Sequence, residues 1–207
     1  MTNKYLNYIL NLLENPKSLF STIIALTRGC YYIAWYKLIK KNVTIRFPFL
    51  CHSKVEIIGP GKVFIDRRCS VWMNTFEHLV IQTVSPFAEI RIGKNCTLGG
   101  LTIRCRNGIW IGDNVMTAAN LVQDIPMISA SAAMELKKSP ITIGHNVWLG
   151  GQAIILYNTE IGDRSVAGSN ALLYNTTVGE DYLCVGNPTL RPVPIKNILS
   201  LRKKINP

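Results

Sequence analysis

From Ile143 to Leu173 an apolar residue returns at every sixth position: Ile143, Leu149, Ile155, Ile161, Ala167 and Leu173. A helix repeats near 3.6 residues and a strand at 2, so neither accounts for a strict six. Six residues make one face of a triangular β-helix coil, and three hexapeptides close a turn of about 18 residues. Gly144, Gly150, Gly162 and Gly168 follow four of these apolar residues, where the chain rounds a corner and a Cβ would crowd the next face. Val147, Ala153, Thr159, Ser165 and Ala171 hold the fifth position, small enough for a narrow interior. The spacing predicts an all-β chain wound as a parallel β-helix.

Fragments of the same phase occur earlier, as I-D-R-R-C-S from Ile65, I-G-K-N-C-T from Ile92 and I-G-D-N-V-M from Ile111. Cys69 and Cys96 fall at the fifth position and read as inward-facing core residues. Cys30, Cys51, Cys105 and Cys184 show no C-x-x-C or Cys/His spacing, so no metal site is expected. Without a signal-peptide pattern in front, the six cysteines read as reduced thiols of a cytoplasmic protein.

The formal charge of +11 sits on the ends of the chain. Residues 1–41 carry six bases against Glu14 alone, and residues 191–207 carry five bases and no acid. Residues 1–54 are expected to form an N-terminal amphipathic helical segment. Leu6, Ile9, Leu10 and Leu13 share one helical face, and Leu19, Ile23 and Leu26 continue the spacing in a second segment. Arg28 leaves only nine uninterrupted residues from Leu19 to Thr27, too few to span a bilayer. Two roles fit residues 1–41: capping the open end of the β-helix, or peripheral contact with a membrane surface through Tyr31, Tyr32, Trp35, Tyr36 and the flanking bases. No aromatic-interleaved basic motif points to nucleic acid.

The β-helix is expected over residues 55–190, beginning near Val55, with a basic C-terminal helix over 191–207. Residues 72–90 lose the phase and are expected to form an irregular coil or a short excursion. The segment from Gln123 to Pro140 is too long for a corner and reads as an inserted loop, the kind of element that builds binding sites on solenoids.

The run I-T-I-G-H-N-V-W-L-G-G-Q-A-I-I-L from Ile141, with I-G-D-R-S-V-A-G-S from Ile161 and V-G-N-P from Val185, resembles the hexapeptide-repeat acyltransferases, above all the sugar and polysaccharide O-acetyltransferases. The resemblance covers roughly residues 55–196. It implies a left-handed parallel β-helix, a homotrimer with sites between subunits, and acetyl-CoA as co-substrate. The family's cofactor positions match Trp148, Gly150, Gly151, Gly168, Ser169 and Asn187 here, with Pro188 beside the last. Arg191 and Lys196 are candidates for the CoA phosphates.

The catalytic half of the pattern is altered. The family keeps a histidine in the inserted loop as general base, but no histidine lies between His78 and His145. Gly99 stands about where an acceptor-side asparagine is usual. Asp124, at the place of the loop's first acid, and His145, just past the loop, are the candidate replacements, while His145 also fits a solvated surface residue. The expected function is acetyl transfer to a sugar hydroxyl or amine, with a saccharide acceptor in surface-polysaccharide assembly, lipid-linked or membrane-proximal. The alternative is a non-catalytic β-helix that binds a ligand or partner.

Overall fold

The computed structural model describes residues 16–72, 78–125, 140–189 and 191–196. Short strands stack into three parallel sheets that form the faces of a triangular left-handed β-helix of about six turns. Face one holds Val43–Ile45, Lys62–Ile65, Glu89–Ile92, Gly108–Ile111, Ile141–Ile143, Thr159–Ile161 and Thr176–Val178. These strands open coils one to seven. Face two holds Phe49–Cys51, Cys69–Trp72, Thr97–Gly99, Met116–Ala118, Trp148–Leu149, Val166–Ala167 and Tyr182–Cys184, the last paired antiparallel with Val193–Pro194. Face three holds Val55–Ile58, Leu79–Thr83, Thr102–Cys105, Leu121–Gln123, Ile154–Leu156 and Leu172–Leu173.

Inward positions form one continuous apolar core that includes Ile65, Ile92, Leu98, Ile103, Ile143, Ile155 and the buried cysteines Cys51, Cys69, Cys96, Cys105 and Cys184. The corner glycines have a packing cause. A Cβ on Gly112 would lie 2.6 Å from the Gly144 carbonyl oxygen, and one on Gly162 would lie 2.6 Å from the Gly179 carbonyl carbon. Neither glycine has a positive φ. The left-handed residues of the corner between faces one and two are instead Asn95, Asn114 and Asn146 in three coils, with φ of 59°, 58° and 58°, and Arg68, Arg164 and Asp181 in three others. Asparagine tolerates that region better than most side chains. The Asn95 side-chain amide donates to Asn114 Oδ1, and the Asn114 amide to Asn146 Oδ1, both at 3.1 Å.

Two sequence expectations are corrected. The solenoid begins at Val43, not near Val55: Val43, Ile45, Phe49 and Cys51 already point inward and pair with coil two. This coil lacks the Gly–Asn corner signature, turning through Arg46–Pro48 instead, so the hexad does not reveal it. The stretch 72–90 is also no irregular coil over its described part. Leu79, Ile81 and Thr83 alternate inward on face three, in register with Val55, Ile57 and the strand Thr102–Cys105. Unequal corner lengths broke the six-residue phase while the coil persisted.

A helix, Pro16–Ile39, lies across coil one and contains the second expected segment, Leu19, Ile23 and Leu26. Leu6, Ile9, Leu10 and Leu13 fall outside the described residues. At Gly29 a Cβ would collide with the Phe49 carbonyl oxygen, so glycine lets the helix approach coil one closely. The helix also covers the open edge of face three. Tyr32 Oη accepts from the Val55 N–H at 3.2 Å, Tyr36 Oη accepts from the Ile57 N–H at 2.9 Å, and Lys40 Nζ donates to the Ile57 carbonyl at 2.7 Å. An edge strand left bare would template pairing with another chain, so the helix caps the solenoid. No helix among the described residues is long and apolar enough to cross a membrane. Ile195 and Lys196 are helical; residues 197–207, with the rest of the expected C-terminal helix, fall outside the described residues.

Candidate active site

The corner between faces two and three carries an unusual column. Face-two pairing sets Cys51 beside Val71, Trp72 beside Gly99, Gly99 beside Ala118, and Leu149 beside Ala167. Extended by one residue, the register runs His52, Trp72, Gly99, Ala118, Gly150, Gly168 along the prism edge. Two stacked rings at one end thus give way to four positions with almost no side chain. From Gly99 to Gly168 is three strand spacings, about 14 Å. The neighbouring outward column contains the half-exposed Met116 and Trp148. The result is a trough with a backbone floor and a wall of large side chains.

Most of the floor glycines have a packing reason. A Cβ at Gly99 would lie 2.8 Å from the Thr117 carbonyl oxygen, and one at Gly150 would lie 2.8 Å from the Ser169 nitrogen. Gly151 differs. A Cβ there would meet only Ser169 Oγ at 3.9 Å and the Ala118 carbonyl oxygen at 4.0 Å, and its φ is not positive. Its own chain does not require a glycine. Gly151 and Ser169 are the extra residues that make these two corners one residue longer than those at Gly99 and Ala118. The buried Asn120 fixes the bend, accepting from the Ala118 N–H at 2.5 Å and donating to the Gly150 carbonyl at 2.7 Å.

Gly150, Gly151, Gly168 and Ser169 therefore lie along one edge, with Trp148 in the column beside it; Asn187 lies two residues past Val185, the position that follows Gly168 in the register. Arg191 and Lys196 do not lie together. The antiparallel strand Val193–Pro194 sends Arg191 toward the Asn187 end, while Lys196 lies at the corner between faces one and two, beside Glu180 and Asp181.

The candidate bases are also separated. Asp124 lies at the corner between faces three and one, where the inserted segment starts, and His145 lies at the corner between faces one and two. The strand Ile141–Ile143 spans the distance between those corners, about 10 Å. Asp124 is fully buried, with Oδ1 accepting from the Arg106 N–H at 2.6 Å and Oδ2 from the Asn107 and Gly108 N–H groups at 2.7 and 2.9 Å. The Cys105 thiol adds a 3.6 Å contact to Oδ2. Burial pushes the Asp124 carboxyl above its ordinary value, even with three amides pulling the other way. With no exposed oxygen, Asp124 is a clamp on the backbone of the preceding coil and not an accessible base.

His145 is exposed, but its Nδ1 accepts from the Asp113 N–H at 2.9 Å. The neutral ring then carries its proton on Nε2, the nitrogen that faces out. Such a ring offers a donor where a base needs a lone pair. His78 sits with Nε2 buried and 3.5 Å from Glu56 Oε2, without a hydrogen bond. His52 stacks on Trp72 with ring centroids 4.4 Å apart and planes 13° from parallel. Burial first, and the Arg28 charge second, hold the His52 imidazole below its ordinary value. No described residue hydrogen-bonds to its ring nitrogens. Sequence reasoning did not join His52 to Trp72, because corners of unequal length hide which residues share an edge. Residues 126–139 of the inserted segment fall outside the described residues, and among the described residues no cluster of His, Cys, Asp or Glu could hold a metal ion.

The repeated corners and stacked parallel faces define a hexapeptide-repeat β-helix. Residues 89–122 and 140–175 match the family model described as the hexapeptide repeat of succinyl-transferase, and the chain resembles the hexapeptide-repeat acyltransferases in this region. Among individual proteins, the galactoside O-acetyltransferase of Escherichia coli (strain K12) is 36% identical over 92 residues, 41% of this chain and 44% of the relative. The match thus spans less than half of that relative's length. The N-acyltransferase AntD from Bacillus cereus, as a single-site variant in complex with dTDP and coenzyme A, shares the fold with a TM-score of 0.54 at 16% identity, over 76% of this chain and 87% of AntD. The polySia-specific acetyltransferase NeuO shares it with a TM-score of 0.50 at 19% identity, over 73% of this chain and 70% of NeuO.

Proposed function

We propose that this chain is an acyltransferase that moves an acetyl group from acetyl-CoA to a hydroxyl or amine of a saccharide. The observation that carries the reading is the backbone-floored trough, above all Gly151, a glycine with no reason inside its own chain. A missing side chain there leaves room for something that approaches from outside. The pantetheine arm of CoA, extended and rich in amides, suits such a floor. Similarity to a galactoside O-acetyltransferase over 92 residues supports the acetyl group and the acceptor class.

In this reading Trp148 walls the arm, Gly150, Gly151, Gly168 and Ser169 floor it, and Asn187 and Arg191 meet the nucleotide end. Arg191 supplies a charge-assisted hydrogen bond to phosphate; Lys196, beside two carboxylates at another corner, is not used. The acceptor oxygen or nitrogen attacks the thioester carbonyl and the CoA thiolate leaves. The chain's contribution is to hold the reactants in line, which by itself removes a large part of a bimolecular barrier. Neither Asp124 nor His145 serves as base.

The exposed trough suits a site shared with a neighbouring copy, so we take the working form to be a homotrimer. The helix presents Phe20, Ile23, Tyr31, Trp35 and Leu38 outward beside the exposed Lys37 and Lys41. This stripe suits the cytoplasmic face of a membrane that carries a lipid-linked acceptor. The sealed Asp124 and the proton-bearing outer face of His145 favour one other reading, a binder of CoA or sugar without turnover. Release of CoA thiol from acetyl-CoA, measured against a panel of sugars, separates the two. Turnover supports the transferase; CoA or sugar binding without turnover supports the binder; binding of neither sinks both.

A further inference from the structure

The trough does not end in open solvent. At its coil-two end stands Trp72, about half exposed, anchored by its indole Nε1–H donating to Ser70 Oγ at 3.1 Å. One face of the indole is covered by His52, nearly parallel at 4.4 Å. Rings stacked between residues of adjacent coils face along the solenoid axis, so the opposite face of the indole looks toward coil three. The residue in register there is Gly99, which has no side chain to cover it. The structure therefore presents a flat aromatic face at the closed end of a groove whose floor is backbone.

We propose that Trp72 is the acceptor platform: the sugar ring stacks on the indole face above Gly99, with His52 as the positioning residue behind it. This rests on the acyltransferase reading, which supplies the donor in the trough. The chemistry fits a pyranose, whose axial C–H bonds present an apolar patch to the negative face of an indole while its hydroxyls stay free to bond. Stacking also orders the acceptor without asking it for charge. His52 suits its supporting role because a neutral imidazole stacks without carrying unpaired charge into a partly buried place, and Arg28, whose guanidinium approaches the His52 carbonyl oxygen at 3.5 Å, disfavours a second cation beside it. The arrangement explains two departures together. Gly99, standing where the family pattern has a polar acceptor contact, opens the indole face, and the aromatic ring replaces that polar contact with a flat one.

The experiment uses the full chain and three probes: methyl β-galactoside, methyl β-glucoside and glucosamine. Saturation-transfer NMR measures sugar binding, calorimetry measures CoA binding, and thiol release measures KM and kcat for the sugar. Trp72→Ala is expected to weaken sugar binding and raise the sugar KM about three- to ten-fold, the range for loss of a ring stack, with the CoA Kd unchanged. Trp72→Phe keeps a flat ring and should restore most of the loss, which a merely structural role for the indole would not predict. His52→Ala should raise KM without lowering kcat. Absence of saturable binding for all three sugars overturns the platform, as does an unchanged sugar KM in Trp72→Ala. A rise in the CoA Kd instead would assign the indole to the donor. Sugar binding that depends on Trp72 in a protein that binds no CoA would leave the platform standing and remove the acyltransferase reading.

Discussion

Asp124 offers the sharpest test of whether this corner is architecture or chemistry. Its two oxygens accept from three consecutive backbone amides, those of Arg106, Asn107 and Gly108, with the side chain fully buried. Asp124→Ala leaves all three donors without a partner and admits little water to replace it. A buried amide without a partner costs about 1–3 kcal/mol. Allowing for partial relaxation of the corner, the expected loss is about 3–6 kcal/mol, a large share of the 5–15 kcal/mol typical of a domain. Asp124→Asn keeps one oxygen for two of the amides but turns an NH2 toward the third. One donor is lost, and the expected cost is about 1–3 kcal/mol. Urea unfolding followed by circular dichroism, at fixed protein concentration, should rank wild type above Asn and Asn above Ala. An Asp124→Ala protein that unfolds at the wild-type midpoint would refute the clamp. Turnover abolished in Asp124→Asn at unchanged stability would return Asp124 to the reaction.

Two glycines should respond oppositely to alanine. Gly112→Ala drives a Cβ against the Gly144 backbone and should cost about 1–3 kcal/mol by urea unfolding, whereas Gly151→Ala should fold normally and weaken CoA binding in calorimetry; equal stability losses would remove the argument for an outside occupant. His145→Ala should leave the rate of thiol release within about two-fold, since a lost general base typically costs 10²–10⁴-fold; a drop of that size would reinstate it. Because burial and Arg28 hold the His52 pKa down, the folded state prefers neutral imidazole. The stability it contributes is fully present above the unfolded pKa of about 6.5 and is lost as pH falls through the lower folded value. His52→Phe should therefore flatten the fall in Tm between pH 7.5 and 5, and an unchanged slope would count against it. Finally, Leu38 is 83% exposed, so the pair Trp35→Ser and Leu38→Ser should cut co-sedimentation with anionic vesicles while Tm holds; undiminished binding would exclude the helix stripe as the membrane contact.

The period of six made the fold legible, because each inward position must be apolar and each tight corner small, and both constraints are written residue by residue. The first coil escaped because it turns through Arg46, Phe47 and Pro48, without the glycine and asparagine that mark later corners. The coil at Leu79 escaped because its corners differ in length from the rest. The glycine edge was legible for the same reason as the fold, since Gly150 and Gly151 return 18 residues later as Gly168 and Ser169. The candidate bases were not. Proximity in sequence placed Asp124 and His145 on either side of one loop, but a triangular coil sends the two ends of a three-residue strand to different vertices. Burial of Asp124 and the Nδ1 bond of His145 depend on amides 16 to 32 residues away, beyond any local pattern.

The three vertices of this prism have three different occupations. The vertex between faces one and two is filled by the asparagine ladder and by the exposed cluster of Arg164, Glu180 and Asp181. The vertex between faces three and one is clamped by Asp124 and gives rise to the inserted segment. The vertex between faces one and two also carries a glycine column, Gly93, Gly112, Gly144 and Gly162, but a Cβ at each would strike the next coil. Among the described residues the vertex between faces two and three differs in holding, at Gly151, a bare position that its own chain leaves uncrowded, with an aromatic at the end of that edge and another on its wall. A triangular prism is convex overall, so a long binding site along one of its edges needs that edge stripped of side chains and gains from a second wall. Here the stripping is present and, at Gly151, serves no purpose within the chain. That asymmetry among vertices, more than any single residue, is the argument for placing the proposed donor trough and the proposed Trp72 platform in one site.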